Sequence, residues 1–155
     1  MVAHFSAPQF EAGIRFIERV ASGNSETAEE LRATWLASVG DRGAVLNPYL
    51  SGGLTVFANV DGDAIAFDGW TIRSITGFGL SSPVSVTGKD GTRVIVYGGA
   101  QTITDCDAWT RSELNWEQVC ANGNGQITLD ETGNIQSITM ALGNKLGIVT
   151  LRVAK

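Results

Sequence analysis

Charge is scarce in this chain, and so are proline, histidine, cysteine and long apolar runs. Charged residues make up 17% of the sequence, against roughly a quarter in ordinary soluble domains. With 43% of residues hydrophobic, that balance excludes a disordered or coiled-coil chain. The net charge is −5, with acids and bases interspersed, so the basic stripe that nucleic acid or an anionic membrane surface demands is missing. Lys145, Arg152 and Lys155 read as ordinary solvated positions. No apolar run approaches the roughly 20 residues of a membrane-spanning helix.

The chemistry-bearing residues are equally thin. One histidine, His4, precedes the first expected helix, and a Ser-His or Cys-His nucleophilic pair would have to recruit it from the terminus. Nucleophile elbows, Walker loops, H-E-x-x-H and C-x-x-C patterns do not occur. One His and two Cys make a poor zinc set, and neither a metal nor a cofactor is expected. A carboxylate pair for glycoside hydrolysis carries no weight where 16 acids make some pair unavoidable. Cys106 and Cys120 suit a reducing compartment as free thiols, although a bridge between them is sterically conceivable. The opening MVAHFSAPQF has no charged segment leading into an apolar one. No secretory signal is therefore expected, which leaves the cytoplasm, signal-less export or a virion as the setting.

What is present points to one domain over residues 1–155, with a helical segment at 6–40 and a β segment at 44–155. Ser6 and Gln9 have capping-box spacing, with Phe5 and Phe10 at the staple positions. Phe10, Ile14, Ile17 and Ala21 then share one helix face, and Gly23 is a natural stop. Thr27 and Glu30 open a second helix whose apolar face is Leu31, Trp35 and Val39 and which ends at Gly40. Beyond Ala44 the period changes. GLTVFANVDGDAIAF reads as strand, turn, strand; VSVTGKDGTRVIVY is a second hairpin turning at Asp90-Gly91, with Val84, Val86, Val94 and Val96 alternating. QITLDETGNIQSITMALGNKLGIVTLRV reads as three strands, and DCDAWTRSELNWEQVC as loop followed by strand. Nineteen glycines against three prolines fit the short turns of an antiparallel meander. The expected fold is α+β: two N-terminal helices packed on an antiparallel β-meander of roughly eight to ten strands, sandwich or barrel-like.

The pentapeptide IRSIT (Ile72 to Thr76) recurs as IQSIT (Ile135 to Thr139). Both copies follow Ala-Asn, a glycine turn, an apolar residue before aspartate (Phe67-Asp68, Leu129-Asp130) and a short turn. That shared order suggests an internal duplication, with the gaps falling in turns. A spacing of three places the two isoleucines of each copy on opposite faces of a regular strand, so each strand reads as apolar on both sides. The inward positions of the paired strands read as Phe67, Ile72, Val94, Val96, Ile135 and Leu151, all apolar.

Candidate sites are few. CANGNGQITLDE (Cys120 to Glu131) has partial calcium-loop spacing, but a thiol stands where the first carboxylate belongs and no exiting helix follows. It reads as a hairpin turn. Asp61, Asp63 and Asp68 could gather around a ligand, or each could fill a turn. Trp70, beside Gly69 in FDGWT, is the residue placed to stack on a sugar or a partner chain. The function expected is a non-enzymatic interaction or assembly protein, associating with itself or another protein, as in a virus particle or surface appendage. The alternative is a small-molecule binder or carboxylate enzyme with a cavity between sheet and helices.

Overall fold

The computed structural model describes residues 33–89, 91–143 and 145–154. Within them the chain is all β, with thirteen strands in a single antiparallel sheet that curls into a half-barrel. In chain order these are β1 (Trp35–Val39), β2 (Arg42–Ser51), β3 (Leu54–Ala58), β4 (Ala64–Phe67), β5 (Ile72–Thr76), β6 (Val84–Lys89) and β7 (Thr92–Tyr97). There follow β8 (Ala100–Asp105), β9 (Thr110–Ser112), β10 (Asn115–Gln118), β11 (Gly125–Leu129), β12 (Ile135–Ala141) and β13 (Ile148–Val153). The spatial order is β8-β7-β6-β5-β4-β3-β2-β1-β13-β12-β11-β10-β9. Every neighbouring pair is also consecutive in sequence except β1 and β13, which join in the middle. The two free edges, β8 and β9, therefore belong to consecutive strands.

The α+β expectation is corrected at Trp35–Val39. The first expected helix lies outside the described residues, but the end of the second is strand β1. Trp35 and Val39 are four apart, a spacing that satisfies one helical turn and an even strand spacing equally. Ala37 decides between them: Trp35, Ala37 and Val39 are buried, and Leu36 and Ser38 between them are only partly so. All five residues pair on both sides, with Val149–Val153 of β13 and with Arg42–Leu46 of β2. Two complete ladders outweigh a local helix preference. Thirteen strands also exceed the eight to ten expected, because β8 and β9 show almost no buried positions and so no apolar alternation.

The inner faces close over one apolar cluster. Leu46, Phe57, Ile65, Ile75, Val84, Val86, Ile127, Val149 and Leu151 are essentially inaccessible to solvent. Fully burying each such side chain contributes about 1.5–3 kcal/mol. Trp35 meets Phe57 edge-on at 4.8 Å.

The two pentapeptides occupy matching places, β5 and β12, each the third strand of the run β3-β4-β5 or β10-β11-β12. Both carry the same irregularity. Ser74 pairs with Ala66 while Ile72 pairs with Phe67; Ser137 pairs with Thr128 while Ile135 pairs with Leu129. An extra residue, Arg73 or Gln136, is thus bulged out of each strand. The bulge corrects the opposite-face reading: Ile72 and Ile75 are both buried, as are Ile135 and Ile138, while the residues between them are only partly so.

A second register effect matters for the site. The β6–β7 hairpin has two connecting residues, 90 and 91, and pairs Val84 with Tyr97, Val86 with Ile95 and Gly88 with Arg93. Even positions of β6 therefore face the same way as odd positions of β7. The inward residues of β7 are Arg93, Ile95 and Tyr97; Val94 and Val96 point outward, and Val96 is exposed. The reading of Val94 and Val96 as inward is corrected.

The sheet edges meet at one place. Past the end of β8, Cys106 forms an antiparallel bridge with Cys120, and a disulfide joins the two side chains. The Asp107 amide donates to the Val119 carbonyl at 2.8 Å and the Ala121 amide to the Asp105 carbonyl at 2.9 Å. With a sequence separation of 14, the closed loop constrains the unfolded chain by about 3 kcal/mol. Reductant should lower the unfolding free energy of the wild type, read from urea titration, by that amount, and leave a Cys106→Ser/Cys120→Ser double variant unmoved. An equal midpoint with and without reductant would show that the bridge adds no stability.

Candidate binding cleft at the sheet seam

From the disulfide, the seam opens along the rest of β8. The chain leaves Cys120 into a turn in which the Gly123 amide donates to the Cys120 carbonyl, so it does not continue along β8. The edge of β8 is therefore left facing a gap. Two successive inward pairs of β7 and β8 line one wall, Tyr97 with Ala100 and Ile95 with Thr102; the next pair of the same ladder, Arg93 with Thr104, lies just beyond it. Opposite stand Leu142, Gly143, Lys145 and Leu146 from the β12–β13 connection, with Asn122. Between the walls is a cleft of 290 Å³, close to the lower end of the roughly 300–1,000 Å³ usual for small-molecule sites. Leu142 and Leu146 are buried in its wall, while Ala100 and Thr102 are exposed at its mouth. Lys145 is exposed at the rim. Both amide atoms of Asn122 are buried without a hydrogen-bond partner. A second, shallower depression beyond Asn122 and Gly143 is bounded by Thr139, Ala141 and Ile148.

The wall changes character with depth. Thr102 is exposed, whereas Thr104, two residues on, is buried. Beside it Arg93 is only 3% exposed. Its guanidinium donates through Nη2 to Oε1 of Gln118, which reaches across the seam from β10 and itself donates to the Asp107 carbonyl at 3.1 Å. Nη1 of Arg93 and Oγ1 of Thr104 are both buried without a partner. Burial pushes the Arg93 pKa below its ordinary value, yet an arginine keeps its proton throughout the accessible range. Among the described residues no carboxylate lies within ion-pair distance of it; the pair formed there is the distant Arg73–Asp68, at 3.6 Å and partly exposed.

The residues singled out from sequence lie elsewhere and apart. Trp70 is 8% exposed, inside an aromatic group that joins the two halves of the sheet. Its ring lies 5.5 Å from Trp109 and 5.9 Å from Trp116. Asp68 follows β4 and its Oδ1 accepts the amides of Trp70 and Thr71. Asp130, its counterpart in the second copy, accepts the amides of Thr132 and Asn134 in the same way. Asp61 and Asp63 occupy the β3–β4 turn, at the other end of β4 from Asp68. Asp61 is exposed, its amide donating to Oδ1 of Asn59. The Asp63 carboxylate is engaged through both oxygens, Oδ1 accepting the Phe78 amide at 2.7 Å and Oδ2 the Asn59 side-chain amide at 2.9 Å. Phe78 is buried at φ 53, a left-handed conformation costing about 1–3 kcal/mol in a non-glycine residue. Gly77 beside it has φ +82, and a Cβ there would sit 2.5 Å from the Asp63 carboxylate. Among the described residues no group of three or more His, Cys, Asp or Glu gathers to hold a metal. Arg93, Thr104 and Gln118 escaped the sequence reading, and Asn122 entered it only as the third position of the partial calcium-loop spacing; counting the pairs across the two-residue β6–β7 turn would have placed Arg93 inside.

Geometry of this kind defines a curled antiparallel half-barrel with a pinned seam and an accessible cleft beside the pin. No family model matches the chain, and no curated protein matches it. Among solved structures, the crystal structure of the hypothetical lipoprotein YmcC from Escherichia coli (K12) is similar, with a TM-score of 0.54 at 12% identity over 92% of this chain and 95% of that one. At that identity the likeness shows the fold alone. Neither the fold nor these comparisons support the virus-particle or homo-oligomer reading, and with the α+β description it is set aside.

The Phe78 amide, and then the Asn59 amide, hold the Asp63 carboxyl below the usual carboxylate range, against a small opposing effect of burial. Its contribution to stability is complete above the ordinary carboxylate pKa and is lost as pH falls through the lowered one. Asp63→Asn should cost about 1–3 kcal/mol near neutral pH. In urea titrations at stepped pH, the gap between variant and wild type should close as the pH drops through the acid range. A gap that is constant with pH would remove the charge from the explanation.

Proposed function

We propose that the protein binds a small, largely apolar molecule in the seam cleft. The observation that carries this reading is a 290 Å³ cleft walled by Ile95, Leu142 and Leu146 and holding the unpartnered amide of Asn122. Apolar walls supply affinity through area removed from water, and a few polar groups fix orientation. The cleft stands between a strand edge and a turn, so ligand entry does not require the main core to open.

The test uses N-phenyl-naphthylamine, a neutral dye whose fluorescence rises in apolar surroundings. Wild type should bind it saturably. Thr102→Trp, placed at the exposed mouth, should weaken binding at least about tenfold, equivalent to 1.4 kcal/mol, with the unfolding midpoint unchanged. Saturable binding that is indifferent to Thr102→Trp would locate the dye elsewhere and end the cleft reading.

A protein-interaction reading has one specific support. Val96, Ile103 and Val119 are exposed on the outer surface near the seam, with Ile103 62% accessible on an edge strand. An extended segment of a partner protein could add to the backbone of β8. Ile103→Lys separates the two readings: it leaves dye binding intact and disrupts contact made through this edge.

A further inference from the structure

We propose that Arg93, with Thr104, receives an oxyanion: the carboxylate, sulfate or phosphate head of an amphipathic ligand whose apolar body lies in the seam cleft. The inference rests on the cleft reading for the body of the ligand and adds the class of its head group. Arg93 lies two residues beyond Ile95 on the same face of β7, about 7 Å deeper along the strand. Ile95 lines the cleft, and Arg93 pairs with Thr104 just as Ile95 pairs with Thr102. The inward ladder thus runs from an exposed threonine at the mouth to a buried guanidinium and hydroxyl one pair further toward the disulfide.

Three features fit an anion there. The guanidinium is permanently charged and buried. Nη1 and the Thr104 hydroxyl, on directly paired residues, are both without partners. Among the described residues its one acceptor, the Gln118 amide, is neutral and spans the seam. A charge-assisted hydrogen bond is roughly twice as strong as a neutral one, so an oxyanion entering along the cleft exchanges favourably for Gln118 Oε1. Lys145 at the rim has the same sign as Arg93 and favours the approach of an anion. Gln118 is therefore a neutral placeholder that holds the guanidinium in position.

The experiment displaces N-phenyl-naphthylamine from the full chain with decanoate and with decanol, which share a tail and differ in the head. Wild type should prefer decanoate by about ten- to hundredfold, the worth of one charged hydrogen bond. Gln118→Glu supplies the protein's own carboxylate to Arg93. It should raise the unfolding midpoint, keep decanol binding and abolish the preference. Equal affinity of wild type for the two ligands overturns the oxyanion site while leaving the cleft reading standing. So does a preference that survives in Gln118→Glu. If neither ligand binds, the cleft reading fails, and the anion site is judged on inorganic phosphate alone. At constant ionic strength, phosphate should raise the melting temperature of wild type and not of Gln118→Glu; equal shifts, or none, overturn it.

Discussion

The joint between Cys106 and Cys120 is the constraint on which the rest of the molecule turns. A curled sheet leaves two edges, and each edge strand exposes a row of unpaired amides and carbonyls. An up-and-down barrel removes both by pairing its first strand with its last. Here the first and last described strands in sequence, β1 and β13, do pair, but the ladder breaks between β8 and β9. The break is closed at a single point by two backbone hydrogen bonds and a disulfide. Everything between that point and the β12–β13 turn is left as a cleft.

Other contacts keep the joint in register. Trp70, from the β4–β5 turn, packs on Trp109 and Trp116 from the far side of the seam, so the two halves are tied through aromatic area as well as covalently. Trp109 lies over Gly125, where even a Cβ would come within 3.2 Å of the ring. Asp63 holds the strained Phe78 in place, and Phe78 belongs to the same apolar cluster as Trp70 and Trp116. Asp63, Asp68 and Asp130 each use a carboxylate to fix a turn. The matching turns at Asp68 and Asp130, and the matching bulges at Arg73 and Gln136, are what the two pentapeptides have in common. Their likeness records a shared turn and bulge, and with it a shared way of burying two isoleucines three residues apart.

Much of the meander was legible because hairpins are local. Asp-Gly turns mark β3–β4 and β6–β7, a Thr-Gly-Asn turn marks β11–β12, and period-two alternation flanks each of them. Three things were missed, each for a different reason. Trp35 and Val39 stand four apart, which both periods allow, and the partner that selects the strand, β13, lies more than a hundred residues away in sequence. The bulges at Arg73 and Gln136 have no residue signature, so even spacing counted through them gives the wrong face. The parity of β7 was readable, since two connecting residues pair even positions with odd ones. Four valines at even numbers across the hairpin concealed it. Taking those four valines as one face placed Val94 and Val96 inside and Arg93 outside, hiding a buried guanidinium one ladder pair beyond the cleft wall.

The treatment of the other arginines shows why Arg93 is different in kind. Arg73 sits in a bulge, partly exposed, paired with Asp68. Arg111 is exposed, lies 5.9 Å from the centre of the Trp116 ring and donates to the Glu113 carbonyl. Both keep a charge where water or a partner can stabilise it. Arg93 is buried with the neutral Gln118 as its acceptor and no counter-ion among the described residues, and the cost of burying an ion without a counter-ion is several kcal/mol even after relaxation. A protein built for stability alone gains by an apolar residue at such a position, since replacing buried charges with well-packed hydrophobic groups is often neutral or favourable. Among the described residues, the surroundings of Arg93 supply a single neutral acceptor and an idle hydroxyl, which is an incomplete site for a cation considered as structure. Considered as half of a complex, the same arrangement is complete once an oxyanion is added.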